Sequence, residues 1–351
     1  MTRRGIVDLG SNTIRLVVYE VDGHALKVAR NEHRPLAKAD FAALANEKKV
    51  VGLSTYVQDG QLSQDGIDKA VSVLRRHLET AHNLGCSETD IIATAVLRNC
   101  SNNAQAVAQI QDRIGHPVRV LSGQEESYCS FAGARLTRPF EDGLLIDMGG
   151  GSTELVQVQG GHVVHSVSLD QGCVSSYAQQ VKLILPTKDE CQAIADSLRE
   201  RLLNAEEAGL LPKLPSGGAS ASTACGPAWN AADDPAQAAA GGFPKAATGS
   251  PVLYGVGGGV RAAARMSAAV AREKVKSTPA EVSAIGLAGV FDLMESDLSA
   301  LSHLAVKTVP DRLHSLVPGC VILSVLMERF NAERVFVSKS GLREGYLSCN
   351  A

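Results

Sequence analysis

The sequence lacks any excess of positive charge. Its 351 residues include 34 Lys and Arg against 37 Asp and Glu, which gives a net charge of −3. A long polyanion such as duplex DNA is held mainly by broad cationic surfaces that release its counterions. We therefore expect no duplex nucleic acid among the partners, and any anion that the protein binds must be held by a few local groups.

Cysteine motifs and long apolar runs are also missing. The 8 cysteines include no C-x-x-C pair, which disfavours a structural zinc site and a disulfide framework. No segment approaches the roughly 18 apolar residues of a membrane span, and Asp8 interrupts the first apolar stretch, unlike the core of a signal peptide. We expect a cytoplasmic protein with no membrane partner. These features do not determine the oligomeric state, and a homodimer is compatible with them.

An internal repeat is present instead. Residues Asp8–Gly23 align without a gap onto Asp147–His162. In each copy an apolar stretch, Gly5–Leu9 or Gly143–Met148, leads into a glycine-rich turn and then into a β-rich stretch, a pattern typical of a strand–turn–strand hairpin. The repeat predicts two halves of one architecture, each beginning with the same hairpin.

Helices and strands alternate along the rest of the chain. Apolar residues at helical spacing predict a helix over Ser63–Leu84 with Ser63 as its N-cap, and a strand follows over Ile91–Val96. This alternation indicates an α/β protein, and at about 150 residues per domain the length suggests two domains. Further helices are predicted at Asn102–Ile114, Gly172–Leu183, Lys188–Glu207 and Gly319–Phe330, and further strands at Val118–Leu121, Val252–Val256 and Arg334–Ser338.

Both predicted hairpins carry residue types suited to phosphate. Asp8 and Asp147 end their strands and can orient a divalent cation or a water molecule. Gly10 and Gly149–Gly151 allow backbone N–H groups to approach anionic oxygens closely. One such turn is weak evidence for function, but two at matching positions of a repeat point to a polyphosphate ligand.

Five segments carry a resemblance to a known family. They are Val7–Thr13, Thr94–Arg98, Leu121–Glu126, Ile146–Leu155 and Gly341–Gly345. In these segments the sequence resembles the exopolyphosphatase and guanosine pentaphosphate phosphohydrolase family, which belongs to the superfamily of actin, sugar kinases and heat-shock chaperone ATPases.

The resemblance implies the domain organisation. It predicts two duplicated ribonuclease H-like, actin-like ATPase domains, residues 1–126 and 127–351, with the active site in the cleft between them. Within the second domain, residues 212–249 are rich in Ala, Gly, Ser and Pro. Because such a composition cannot offset the entropy lost on ordering, we predict a flexible surface insertion there.

The resemblance also implies roles for individual residues. Glu126 is the general base, and Mg²⁺ or another divalent cation is coordinated by Asp8, Asp147 and Glu154, hard carboxylates that suit such an ion. Arg98 would grip the phosphate chain because a guanidinium matches phosphate bidentately; the alternative is a structural salt bridge at a strand end. The remaining predicted substrate-binding residues are Ser11, Asn12, Arg15, Gly149, Gly150, Gly151 and Ser152.

Two features have competing interpretations from the residues alone. Repulsion between adjacent Glu125 and Glu126 could raise the pKa of one of them, or both could simply begin a helix, where acids suit the dipole. The segment Gly255–Arg261 superficially resembles a dinucleotide-binding loop, but Val260 stands where the third glycine belongs. We interpret that segment as a structural loop near the site.

The expected function is hydrolysis of a phosphoanhydride. The leading hypothesis is release of terminal orthophosphate from inorganic polyphosphate by Mg²⁺-assisted in-line attack of water. The nearest alternative is the same reaction on guanosine pentaphosphate, giving the tetraphosphate. A nucleotide-binding regulatory protein without turnover is a third hypothesis, which the base candidate Glu126 disfavours; a sugar kinase is a fourth, disfavoured by the short chain.

Overall fold

The chain folds into two units. The computed structural model describes residues 1–211, 252–271 and 280–350. The first unit comprises Met1–Thr137 together with Ser340–Ala351, and the second comprises Arg138–Lys339. The boundary predicted after Glu126 differs from this division because that residue lies inside a helix of the first unit, to which the C-terminal residues also return. The predicted flexible insertion at 212–249 lies outside the described residues.

The first unit is built on a five-stranded sheet with the order β3-β2-β1-β6-β7. The pairs β1–β2 and β2–β3 are antiparallel, whereas β1–β6 and β6–β7 are parallel. Its elements are β1 (Thr2–Leu9), β2 (Thr13–Val21), α1 (Gly23–Glu32), β3 (Phe41–Val50), β4 (Val57–Gln58), β5 (Gln61–Leu62), α2 (Gln64–Asn83), β6 (Glu88–Ala93), α3 (Ala95–Arg98), α4 (Asn103–Ile114), β7 (Arg119–Val120) and α5 (Gly123–Thr137).

The second unit contains a six-stranded sheet with the order β10-β9-β8-β11-β13-β12. Its first five strands repeat the order and directions of the first sheet, which confirms the predicted duplication. Its elements are β8 (Gly143–Met148), β9 (Thr153–Gln159), β10 (His162–Leu169), α6 (Cys173–Gln180), α7 (Lys188–Glu207), β11 (Leu253–Val256), α8 (Gly257–Val270), β12 (Glu281–Ser283), α9 (Ala284–Ser296), α10 (Leu298–Thr308), α11 (Leu313–Arg329) and β13 (Arg334–Val337).

Local sequence signals account for several element boundaries. Ser63 caps α2 by accepting a hydrogen bond from the N–H of Gly66 at 3.3 Å, as predicted. The strand predicted over Ile91–Val96 instead ends at Ala93. The N–H groups of the next turn bond back to the carbonyl of Thr94, so the chain enters α3.

The final helix, α12 (Leu342–Cys349), completes the first unit. It packs closely against α5: a side chain on Gly133 would overlap the backbone of Gly341, and one on Gly345 would overlap the backbone of Cys129. Ser348 Oγ also donates a hydrogen bond to the carbonyl of Leu36 at 2.6 Å. The helix is therefore an integral part of this unit.

No single helix in residues 1–211, 252–271 and 280–350 is long and apolar enough to cross a membrane, and only the pair Leu298–Thr308 and Pro310–Arg329, bent by 112°, reaches that length.

Candidate active site

The tip of the first hairpin presents backbone donors. The N–H of Gly10 bonds to the carbonyl of Thr13 at 3.0 Å and closes the turn, while the carbonyls of Ser11 and Asn12 accept hydrogen bonds from the loop 51–54. Among the described residues, the N–H groups of Ser11 and Asn12 have no acceptor. Loop 51–54 thus binds the carbonyls of the turn and leaves the two N–H groups of the turn available to a ligand.

The second hairpin has the same arrangement. The N–H of Gly149 bonds to the carbonyl of Ser152 at 3.0 Å, and the carbonyls of Gly149 and Gly150 accept hydrogen bonds from the start of α6. A side chain on Gly172 would overlap the backbone of Gly150. The close packing of the residue before α6 against the turn therefore requires glycine at position 172. The N–H groups of Gly150 and Gly151 have no acceptor within the part of the chain that the structure describes.

Two predicted metal ligands face each other in the second hairpin. Asp147 lies opposite Glu154 in the β8–β9 pair, which places both carboxylates on one face of the sheet. They are 8% and 1% exposed, respectively. One oxygen of Glu154 accepts hydrogen bonds from the hydroxyls of Ser152 and Ser168, at 2.6 and 2.8 Å.

This donor set fits Mg²⁺, which binds proteins through one or two carboxylates and completes its shell with water and phosphate oxygens. No group of three or more His, Cys, Asp or Glu side chains arranged to hold a metal ion occurs among the described residues. Asp147 and Glu154 therefore form the protein part of the candidate metal site.

Asp8, the third predicted ligand, has a different setting in the first unit. Its Oδ2 accepts a hydrogen bond from Nη1 of Arg343 at 2.7 Å. Burial alone would lower the pKa of Arg343, but the charges of Asp8 and Glu344 raise it above its usual value. Across the strand pair, Asp8 lies opposite Arg15, whose pKa is lowered by burial and by the charge of Arg343.

Arg98 and Glu126 form an ion pair. Nη1 of Arg98 donates a hydrogen bond to Oε2 of Glu126 at 2.5 Å and another to the carbonyl of Leu121 at 3.2 Å. Only 17% of the Arg98 side chain and 9% of the Glu126 side chain are exposed. The guanidinium of Arg98 therefore fixes the position of the Glu126 carboxylate.

Glu125 lies in the first turn of α5 and takes no part in that pair. Its carboxylate accepts a hydrogen bond from the N–H of Ser122 at 2.8 Å and pairs with Arg119 at 2.6 Å. Burial opposes ionisation of Glu125, but the bonds from Ser122 and Arg119 lower its pKa. For Glu125, the helix-start interpretation is confirmed, and repulsion does not raise its pKa.

Comparison with known proteins identifies the family. A model of the Ppx/GppA phosphatase family matches residues 29–223. The chain belongs to the Ppx/GppA phosphatase family. The crystal structure of the Aquifex aeolicus Ppx/GppA family member is 19% identical over 99% of this chain and 97% of that chain, with a TM-score of 0.67. The crystal structure of an exopolyphosphatase from Cytophaga hutchinsonii is 19% identical over 99% of this chain and 96% of that chain, with a TM-score of 0.71.

These similarities establish the shared fold, and family membership makes this Ppx/GppA protein an enzyme of the exopolyphosphatase and guanosine pentaphosphate phosphohydrolase type.

Sequence reasoning missed two arginines near the turns of this Ppx/GppA protein. Arg343 lies in one of the five segments that carry the resemblance, without a predicted role of its own, yet it contacts Asp8. Arg312 precedes α11, and its guanidinium would overlap any side chain on Gly258 at the start of α8. Its charge also acts on Cys173: burial raises the pKa of this thiol, and Arg312 opposes the increase. Arg312 thus lies close to the second turn, a proximity that no local pattern indicates.

Proposed function

We propose that this Ppx/GppA protein hydrolyses the terminal phosphoanhydride bond of inorganic polyphosphate. The observation that carries the proposal is the pair of matching turns, each offering two N–H donors without an acceptor among the described residues. Phosphoryl transfer needs such positioned dipoles and cations on the phosphate oxygens more than it needs covalent chemistry from the protein.

Glu126 would act as the general base. The oxygen of a water molecule attacks the terminal phosphorus, the bond to the bridging oxygen breaks, and Glu126 takes the proton of the water. The products are orthophosphate and a chain shorter by one phosphate. Arg98 would hold the carboxylate in place through their ion pair. We prefer this positioning role to the direct binding of phosphate that the sequence analysis predicts for Arg98.

Asp147 and Glu154 would hold the divalent cation. When bound, Mg²⁺ supplies positive charge that offsets the negative charge on the transferring phosphoryl group. Ser152 and Ser168 would orient Glu154 through their hydrogen bonds, as partners of metal-binding carboxylates commonly do.

Arg312 supports an inorganic chain over a nucleotide. Its guanidinium covers Gly258 at the start of α8, and by the resemblance this segment corresponds to the nucleoside-binding region of related kinases. A cation in that position suits phosphate oxygens better than it suits a stacked base.

Phosphate release from long-chain polyphosphate and from guanosine pentaphosphate, measured side by side with Mg²⁺, tests the proposal. We expect the higher kcat/KM with polyphosphate. A higher value with guanosine pentaphosphate would support the alternative substrate, and no release from either would contradict hydrolysis.

A further inference from the structure

A cavity of about 340 Å³ opens on the second unit between α9 and α11, and its volume is within the range of small-molecule binding sites. Glu333 lines the cavity and directly precedes β13, whereas the glycine-rich turn of the second hairpin directly follows β8. Because β8, β11 and β13 are parallel, the start of β13 and the end of β8 lie at opposite edges of the sheet. The cavity is therefore separate from the turn that carries Gly150 and Gly151.

The inner side of the cavity is apolar. Leu287 of α9, Met327 of α11 and Ala332, which follows α11, line it and are only 1%, 2% and 7% exposed. The N–H of Ala332 already bonds to the carbonyl of Met327 at 2.8 Å, so these backbone groups need no ligand. Such a surface suits a hydrocarbon chain, because covering it removes apolar area from water.

The outer side of the cavity carries acceptors and a negative charge. Glu328 and Glu333 line it, and among the described residues no Lys, Arg or His does so. Glu328 accepts a hydrogen bond from Nη2 of Arg199 at 3.0 Å, so its charge is already offset. The carboxylate of Glu333 has no hydrogen-bond or ion-pair partner in the part of the chain that the structure describes. Ser324 and Asn331 add uncharged side-chain oxygens, so the cavity combines one unpaired negative charge with further acceptors.

We propose that this cavity binds a primary alkylammonium ion, a small amine with one protonated nitrogen and a hydrocarbon chain. The ammonium group bonds to the carboxylate of Glu333 and to an oxygen of Ser324 or Asn331, and the chain covers Leu287 and Met327. An ammonium group has three donors and no acceptor, which matches this lining, whereas an anionic ligand would be repelled by Glu333. This binding is independent of the proposed hydrolysis.

The test is ligand-observed NMR of the full-length protein with n-hexylammonium chloride at pH 7.5, at which a primary amine is charged. We expect saturation transfer from the protein to the ligand and a dissociation constant on the order of 1 mM, the scale for a ligand of so few atoms. Absence of transfer at about ten times that concentration would overturn the proposal.

Two analogues separate the contributions of charge and chain. 1-Hexanol has the same chain without the charge and should bind at least about 2-fold more weakly, since it cannot form the ion pair. Ethylammonium keeps the charge but has four fewer carbons, and it should bind at least about 10-fold more weakly because less apolar surface is covered. Equal affinity of hexylammonium with either analogue would overturn the assignment to an alkylammonium ion.

Glu333→Gln tests the contact with the ammonium group. Hexylammonium binding should weaken about 2- to 5-fold, the scale of one exposed ion pair, while 1-hexanol binding should not change. Glu295→Gln is the matched control, because it removes a carboxylate of α9 that pairs with Lys188 outside the cavity, and it should bind like the parent. Equal hexylammonium affinity in Glu333→Gln and the parent would contradict the proposal.

Ala284→Phe tests the location of the ligand. Ala284 lines the cavity at the start of α9 and is exposed, so a larger side chain there would occupy the cavity without entering the core. Hexylammonium binding should fall at least about 10-fold, because the chain loses its apolar contacts. Undiminished binding would place the ligand elsewhere and overturn the proposal. If this variant fails to fold, Glu333→Lys at an exposed position decides, since a reversed charge should weaken binding more than Glu333→Gln does.

Discussion

Arg98 donates a hydrogen bond to the carboxylate of Glu126, so the short helix α3 positions a charged group carried by α5. Arg98 lies at the end of α3, beyond the end of β6, and Glu126 lies in the first turn of α5. The candidate base is therefore supported by a neighbouring segment of the first unit, and its geometry depends on both helices.

Replacing the candidate base should affect turnover selectively. Glu126→Gln keeps an acceptor for Arg98 but cannot take a proton at neutral pH, so kcat should fall about 10²- to 10⁴-fold with little change in melting temperature. Steady-state kinetics and thermal unfolding of the same preparation measure both effects. Glu125→Gln is the matched control, and its kcat should stay within about twofold of the parent. If Glu126→Gln had a kcat near that of the parent, a role of Glu126 in the proton transfer would be excluded.

Removing Arg98 should lower both stability and kcat. Arg98→Ala leaves a largely buried carboxylate without its cation, which costs about 3 kcal/mol when one partner of such a pair is lost. If Arg98 acts through Glu126, its removal should reduce kcat in the parent but have little further effect on activity in Glu126→Gln. If Arg98 instead bound phosphate directly, its removal would raise KM both in the parent and in Glu126→Gln. Kinetics of the parent, the two single variants and the double variant therefore distinguish the two roles.

The carboxylates of the second hairpin should control the metal requirement. Glu154→Gln should raise the half-saturating Mg²⁺ concentration about 10-fold or more, because an amide is a weaker ligand for a hard cation than a carboxylate. Calorimetric titration of substrate-free protein with Mn²⁺ gives a second readout independent of turnover. Glu281→Gln, which alters an exposed ion pair of the same unit, should leave both values unchanged. Equal metal affinity in Glu154→Gln and the parent would exclude Glu154 as a ligand.

The contact between α5 and α12 should tolerate no added methyl group. Gly133→Ala would overlap the backbone at Gly341, and we expect a loss of at least about 2 kcal/mol in the free energy of unfolding. Denaturant unfolding measures this change. Gly23→Ala is the control: its nearest neighbour would be a side-chain oxygen of Thr2 at 3.6 Å, an ordinary contact. Similar stability for the two variants would show that the helices can separate without cost.

His77 should make stability depend on pH. It is fully buried, with Nε2 3.3 Å from the carbonyl of Ile14 and Nδ1 3.7 Å from Glu47. Burial lowers the pKa of His77, and this effect outweighs the hydrogen bond to Ile14 and the charge of Glu47, which act in the opposite direction. The unfolded chain therefore binds the proton more readily, so this contribution to stability is present above a pH of about 6.5 and is lost as the pH falls below it.

Melting temperatures at pH 7.5 and 5.5 test this dependence. The parent should lose more stability than His77→Gln between these values, since the variant has no group to protonate at this position. Equal losses of stability in the two proteins would contradict a contribution from His77 to the pH dependence.

The sequence predicted the two hairpins and most long helices because their patterns are local. It did not predict β3, an edge strand whose side chains are mostly half-exposed or exposed. Its Ala, Asn, Glu and Lys residues have low strand propensity, so pairing with β2 rather than propensity determines its conformation. The contact between Arg343 and Asp8 joins residues 335 positions apart, and no periodicity or spacing indicates such a contact.

The return of α12 to the first unit has a consequence for protein synthesis. Every residue of the second unit is translated between Thr137 and the segment that begins at Ser340. At 5–20 residues per second, the ribosome needs about 10–40 s to cross these roughly 200 positions. During that time the helix that carries Glu126 has already been synthesised, but its α12 partner has not. The second unit therefore has all its residues available for folding before the first, although the first begins to emerge earlier.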